Sequence, residues 1–420
     1  MTVSKIYNSF NFVFLALALI TTTQCSLPNN TFVKPIIAED STNTDNKKIT
    51  LQEKKIFFDQ NTAIYLSNNF DGARLNDVKK LNDSTLQLRI QPENTPINNS
   101  AYFAFKIWSK KPTTAYLEFN YPKDYSHRYI PKIKSENEIW QNIDSNLIFK
   151  KDTIITIKVI INEKPQIIAA QEIITSTQTK IWYNALIQQH KAKITYKTIG
   201  NSVLGKPIPM LDIHTGNENE KDIVVLLARQ HPPEITGFMA FQSFLQNVLE
   251  SNQITADFFT KYRVLVFPIV NPDGVDLGHW RHNANGIDLN RDWSFYKQPE
   301  INAITKAIVQ VANKSKGKVV IGIDFHSTQE DLYYTSHSTE NSTIPHFYDE
   351  WFKAIDDTFP NYKPNEIRED SNQPVSKAWF LGMYGATAIT YEIGDETPRD
   401  FVREKGKVAA IEMMKILNKR

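Results

Sequence analysis

Two contrasting textures within one chain predict an α/β fold, a mixed and mostly parallel sheet wrapped by helices, preceded by a smaller β-sandwich domain. Between about 49 and 175, short runs alternate apolar and polar residues, many of them aromatic or β-branched. That is the period-two pattern of strands with one buried face. After about 176, continuous apolar runs alternate with segments of helical periodicity, as expected of buried strands joined by helices. The length of 420 residues also fits two domains, at roughly 100–200 residues each.

Taken in order, residues 1–25 read as an export signal. Lys5 supplies positive charge, an apolar run follows over 12–20, and Cys25 comes shortly after it. The run falls short of the ~20 apolar residues that span a bilayer. A lone cysteine behind such a run is similar to the lipidation site of a bacterial lipoprotein; a plain cleaved signal is the other reading. Either implies an exported protein: periplasmic, membrane-anchored or extracellular. Residues 26–48 are polar and turn-rich, cannot bury enough apolar surface to fold alone, and read as a flexible tether.

The β-sandwich is expected over 49–175, with strands such as 85–90, 102–107, 114–119 and 153–160. It carries no evident catalytic cluster. In the α/β part, 176–420, helices are expected at 181–189, 238–249, 301–312 and 408–417. Strands are expected at 222–228, 263–270, 319–325 and 386–391.

Composition narrows the function. There are 48 basic and 46 acidic residues, a formal net charge of +2, so no nucleic-acid footprint is implied. With a single cysteine, no disulfide can form within the chain and no multi-thiolate zinc site is available. A metal would be held by His, Asp or Glu.

Four polar clusters follow four apolar strands: Arg229-Gln-His-Pro-Pro-Glu234, Asn271-Pro-Asp-Gly274, His326-Ser-Thr328 and Glu392-Ile-Gly-Asp395. Ligands of open α/β sheets bind beyond the carboxyl ends of strands, so the four are expected to converge. His231 and Glu234, three apart on a loop entering a helix, suit one metal ion, with His326 as a third ligand and an open fourth position. Two histidines and a glutamate with an open position describe a hydrolytic zinc rather than a structural one. The other seven histidines lack such surroundings and read as structural or surface residues.

The second half resembles the zinc carboxypeptidase family related to carboxypeptidase A. The matching segments are His231-Pro-Pro-Glu234, Asn271-Pro-Asp-Gly274, His279-Trp-Arg281, Gly286-Ile-Asp-Leu-Asn-Arg291, Asp324-Phe-His-Ser327 and Tyr391-Glu392, in the family's order over roughly 178–420. The resemblance implies a zinc carboxypeptidase-like fold, one Zn2+ per chain and peptide or protein C-termini as partners. His231, Glu234 and His326 are the implied zinc ligands. Glu392 takes a proton from water and passes it to the leaving amine, Arg281 polarises the scissile carbonyl, Asn290 and Arg291 bind the terminal carboxylate, and Asp288 orients His231 from behind. In the family, the residue 15 before the catalytic glutamate floors the side-chain pocket. Counting back gives Lys377, which implies a preference for acidic C-terminal residues.

Two features depart from the digestive members. Their mobile tyrosine, 22 residues before the glutamate, is replaced in register by Asp370, and Tyr384 is too near the strand to take its place. The β-rich segment resembles the domain preceding the catalytic domain in the cytosolic carboxypeptidase branch rather than an inhibitory pro-segment. Two other readings are a zinc amidohydrolase of the desuccinylase/aspartoacylase type and an inactive surface binding protein.

Overall fold

The computed structural model describes residues 43–60, 63–136, 138–337 and 342–420. The signal segment, Cys25 and most of the tether lie outside them. Among the described residues no helix is long and apolar enough to cross a membrane.

The β-rich part contains β1 (Ile56–Asp59), β2 (Ile64–Ser67), β3 (Asp77–Lys80), β4 (Thr85–Arg89), β5 (Ala104–Ser109), β6 (Thr113–Asn120), β7 (Lys132–Lys134), β8 (Gln141–Asn142), β9 (Ile148–Lys151), β10 (Ile154–Ile161) and β11 (Gln166–Ala169). They form a six-stranded sheet, β1-β2-β5-β11-β7-β8, and a five-stranded one, β3-β4-β6-β10-β9. Alternation fixes which face is inside: Ala115, Leu117 and Phe119 of β6 are buried while their neighbours are not. Those residues share one apolar cluster with Leu66, Phe105 and Ile107 of the other sheet, the arrangement of a sandwich.

The α/β part begins with α1 (Ser176–Gln189), capped by Thr175 and Gln178 in a reciprocal capping box. There follow β12 (Ile194–Asn201), β13 (Pro207–Ile213), β14 (Asp222–Ala228), α2 (Ile235–Leu249), α3 (Gln253–Lys261), β15 (Tyr262–Phe267), α4 (Pro272–Leu277), α5 (Pro299–Lys314), β16 (Val319–Thr328), β17 (Leu332–Thr335), α6 (Phe347–Thr358), β18 (Glu366–Arg368), α7 (Ser376–Tyr384), β19 (Thr387–Gly394) and α8 (Arg399–Asn418). The sheet order is β12-β13-β15-β14-β16-β19-β17-β18. Its centre, β15-β14-β16-β19, is parallel, and both edges bring in antiparallel pairs. Apolar clusters cover both faces, which is why the central strands read as unbroken apolar runs.

Three expectations are corrected. The strands carrying His326 and Glu392 do not stop short of them: β16 runs to Thr328 and β19 to Gly394, because the parallel pairing continues through the polar residues. The described end of the tether, 43–48, is not free chain. Thr44 is buried, its hydroxyl donating at 2.5 Å to the Gly286 carbonyl, which Asn94 Nδ2 also reaches at 3.0 Å. Third, the Asn271–Gly274 segment is not among the described residues that line the cavity, as the next subsection describes.

Candidate active site

The parallel register sets the site. His326 and Glu392 are direct partners across β16 and β19, so their side chains leave the same face of the sheet. Asp324, two residues before His326, shares that face. On the neighbouring strand, the chain leaves β14 through Arg229, in a left-handed conformation, and delivers His231 and Glu234 to the start of α2. Gly237 allows α2 to come this close. A Cβ there would sit 2.1 Å from the His326 carbonyl oxygen, and the Gly237 N–H donates to Ser327 Oγ at 2.8 Å.

His231, Glu234 and His326 come together. One nitrogen or oxygen from each lies within 4.8 Å of the others. His231 Nδ1 is 2.8 Å from Glu234 Oε1, and His326 Nδ1 is 2.7 Å from Oε2 and 3.2 Å from His231 Nδ1. Behind the rings, His231 Nε2 meets Asp288 Oδ1 at 3.0 Å and His326 Nε2 lies 2.9 Å from Asp324 Oδ2. A proton on His231 Nε2, facing Asp288, leaves its Nδ1 lone pair aimed at Glu234, and His326 Nδ1 points at the same carboxylate. Lone pairs and a carboxylate converging on one point repel unless a cation lies among them. This donor set fits zinc, with Asp288 behind His231 fixing its ring and tautomer and Asp324 lying behind His326. The electrostatics agree. Burial pushes His326 down, but Asp324 and Glu234 more than reverse it and hold its pKa well above the usual histidine value; the pocket attracts positive charge.

These three line a cavity of about 370 Å³ together with Glu392, Arg281, Asn290, Arg291 and Lys377. Glu392 is deeply placed, its Oε2 buried without a hydrogen-bond partner among the described residues. Burial pushes its carboxyl up to about 7, with Glu234 adding to the rise and His326, His231 and Arg281 opposing it. Arg281 donates from Nε to Asp288 Oδ2 at 2.7 Å. One carboxylate therefore holds both His231 and Arg281, and its own pKa lies well below the usual range. Burial works against that shift; Arg281, His231 and Arg291 outweigh it. Asn290 is anchored by accepting the Ser376 N–H at 2.9 Å, and Arg291 Nη1 donates to the Asn290 carbonyl at 2.9 Å. Lys377, on the first turn of α7, donates to the carbonyls of Thr335 and Glu369 at 2.7 and 2.8 Å. Burial lowers its pKa to about 8, against the pull of Glu369 and Asp370.

The Asn271–Gly274 cluster stays behind the cavity. Asn271 caps α4 through the Gly274 N–H and donates to the carbonyls of Gln230 and His282. It ties two site loops together without facing a ligand. Tyr384 packs edge-on against Trp379, away from the cavity, but another tyrosine, Tyr334 of β17, does line it.

Sequence reasoning missed the contribution of the β-sandwich. Asn98, Ser100 and Arg128 form part of the cavity wall. Arg128 reaches across to the α/β part, Nε donating to Asp395 Oδ2 at 2.8 Å, while Nη1 donates to Ser100 Oγ at 3.3 Å. No periodic pattern marks such residues; for Asn98 and Ser100 the available signal was the mostly polar segment 93–100 between two strands, and Arg128 had none.

Comparison with known proteins gives a consistent picture. A family profile described as zinc carboxypeptidase matches residues 179–410. Among curated relatives, cytosolic carboxypeptidase 6 of Mus musculus is 22% identical over 281 residues, covering 61% of this chain and 52% of the relative. Its Caenorhabditis elegans counterpart is 25% identical, covering 61% of each. The chain thus spans little more than half the length of these relatives. Among solved structures, a metallo-carboxypeptidase from Burkholderia cenocepacia superposes with a TM-score of 0.71 at 16% identity, over 85% of this chain and 99% of that one. One from Pseudomonas aeruginosa gives 0.67 at 16% identity, over 84% and 99%. Those two likenesses cover the sandwich as well as the α/β part and establish the shared fold.

Proposed function

The chain belongs to the zinc carboxypeptidase family, whose cofactor is Zn2+, and on that premise we propose that it removes the last residue of peptide or protein chains, favouring an acidic one. The observation that carries this reading is the meeting, in one cavity, of a three-ligand cluster, a carboxylate whose buried oxygen has no hydrogen-bond partner among the described residues, and guanidinium groups in the same lining.

Zinc held by His231, Glu234 and His326 would supply Lewis acidity and make water acidic enough to react near neutral pH. The chain's own residues do the rest. Glu392 takes the proton from the attacking water and returns it to the departing amine; burial has raised its basicity for that task. Arg281, its Nε fixed on Asp288, offers its terminal nitrogens to the carbonyl oxygen as negative charge develops there. Arg291 and Asn290 receive the terminal carboxylate, for which a planar guanidinium is suited in shape and charge. Lys377 has two of its three protons committed to carbonyls. The third is available to an acidic substrate side chain, and a buried ammonium gains from such a partner.

Mass spectrometry of the products from a mixed peptide library, with and without chelator, tests the reading. Loss of single C-terminal residues, abolished by chelator, is expected; products cut elsewhere, or turnover only of N-acyl amino acids, would refute it. For the side-chain preference, kcat/KM is compared for peptides ending in Glu, Phe and Lys. Glu should lead, and Lys377→Glu should reverse the order of Glu and Lys; a ranking led by Phe in the wild type removes the preference. Residues 1–25 further support a proposal of export, which fractionation and fatty-acid labelling of the full chain would test.

A further inference from the structure

Arg281 is useful only if its guanidinium is held where the oxyanion forms, yet it sits on an irregular loop between α4 and the turn at 289–291. What fixes that loop comes from the other domain. Glu93, just past β4 of the sandwich, is fully buried. Its carboxylate accepts three consecutive backbone N–H groups of the α/β part: Trp280 at 2.8 Å on Oε2, then Arg281 at 3.0 Å and His282 at 2.7 Å on Oε1. Its neighbour Asn94 meets His282 Nδ1 at 2.6 Å. On one side of the loop the Trp280 ring enters the sandwich core, edge-on to Tyr121 and Tyr125. On the other, the Arg281 side chain reaches the catalytic cavity.

We infer that Glu93 is a positioning residue for catalysis: by binding the backbone of 280–282 it aims Arg281, so that the sandwich completes the active site rather than merely adjoining it. Three charge-assisted bonds to successive N–H groups define the loop's path more sharply than apolar packing could. No other carboxylate makes this contact among the described residues. The line from Glu93 through the Arg281 backbone, its Nε, Asp288 and His231 Nε2 consists of hydrogen bonds of 2.7–3.0 Å. This inference rests on the role proposed above for Arg281.

The test is a double-mutant cycle on the full chain. Glu93→Gln keeps the shape but removes the charge and one acceptor. It should lower kcat by about tenfold to a hundredfold, the scale of a small misplacement of a catalytic group, with KM changed less than twofold and zinc content unchanged. In an Arg281→Ala background the same change should have no further effect on kcat, because its route is gone. A purely structural role would multiply in both backgrounds or track zinc loss, and either result overturns the inference. If Glu93→Gln does not fold, Glu93→Asp, which keeps the charge but is one methylene shorter, carries the same cycle. A readout independent of turnover separates the two readings. The Arg281 Nε–H resonance, assigned by its loss in Arg281→Ala, should move to the solvent-exposed position in Glu93→Gln. An unmoved resonance refutes positioning by Glu93, whereas a moved resonance in a chain inert towards peptides refutes only the proposed activity.

Discussion

At the scale of single residues, two carboxylates with opposite pKa shifts divide the chemistry of the site. Asp288 is held ionised by Arg281 and His231, while Glu392 is pushed up by burial. Replacing Glu392 by Gln should leave zinc bound and lower kcat by ~10²–10⁴; wild-type turnover at full zinc occupancy would remove Glu392 from the mechanism. As a base it works only when ionised, so kcat/KM should fall as pH drops through its pKa. That acid limb should disappear in the Gln variant, which a pH profile of both proteins checks. Asp288→Asn should weaken zinc binding ~10–100-fold, the usual cost of losing a ligand's supporting carboxylate, as measured by competition with a chromophoric chelator. The ligand set was legible in the sequence because it lies in short ordered segments at strand ends. Arg128 and Tyr334 were not, because a lone side chain that joins a cavity from another element leaves no local pattern.

At the scale of elements, legibility followed burial. The central strands β14, β15 and β16 are buried on both faces and stand out as apolar runs. The edge strand β12 is largely exposed, and its residues 194–201 carry little of the signal that burial imposes. Helix α6 has buried residues at Phe347, Tyr348, Trp351, Phe352 and Ile355, a helical spacing readable in principle. Helix α7 is nine residues long, too short for periodicity to register. Yet α7 carries Lys377 and anchors Asn290, so a helix with little sequence signal helps shape the pocket. A clearer constraint falls on α2. Gly237→Ala would drive a methyl group into the His326 carbonyl, forcing the helix off β16. A loss of ~1–3 kcal/mol is expected from such overpacking, together with weakened zinc binding, read by thermal unfolding with and without added zinc. An unchanged Tm would mean that α2 shifts freely and does not set the geometry of the metal ligands.

At the scale of the whole molecule, two cores that the sequence reading treats as separate are joined, most intimately at the loop that carries Arg281. The boundary near 175 is marked by the change in texture and by the capping box at Thr175. Across it, however, Arg74 donates to the Gly278 carbonyl at 2.7 Å, and Gly278 itself could carry no side chain, since a Cβ would lie 2.3 Å from the Ala73 carbonyl oxygen. Trp280 belongs to the α/β part by sequence but to the sandwich by packing. These contacts bridge some 200 residues of chain, beyond the reach of any periodicity, so they could not be read in advance. Their consequence is cooperative. Trp280→Ala empties a ring-sized space in the sandwich core and should cost ~3–5 kcal/mol. Because the ring is covalently part of the loop that Glu93 holds, the loss should not stay in one domain. Denaturant unfolding followed by backbone circular dichroism and by release of zinc should give a single transition in the wild type. In the variant both probes should shift together to lower denaturant, whereas a sandwich that melts while zinc remains bound would show that the two cores are stabilised independently.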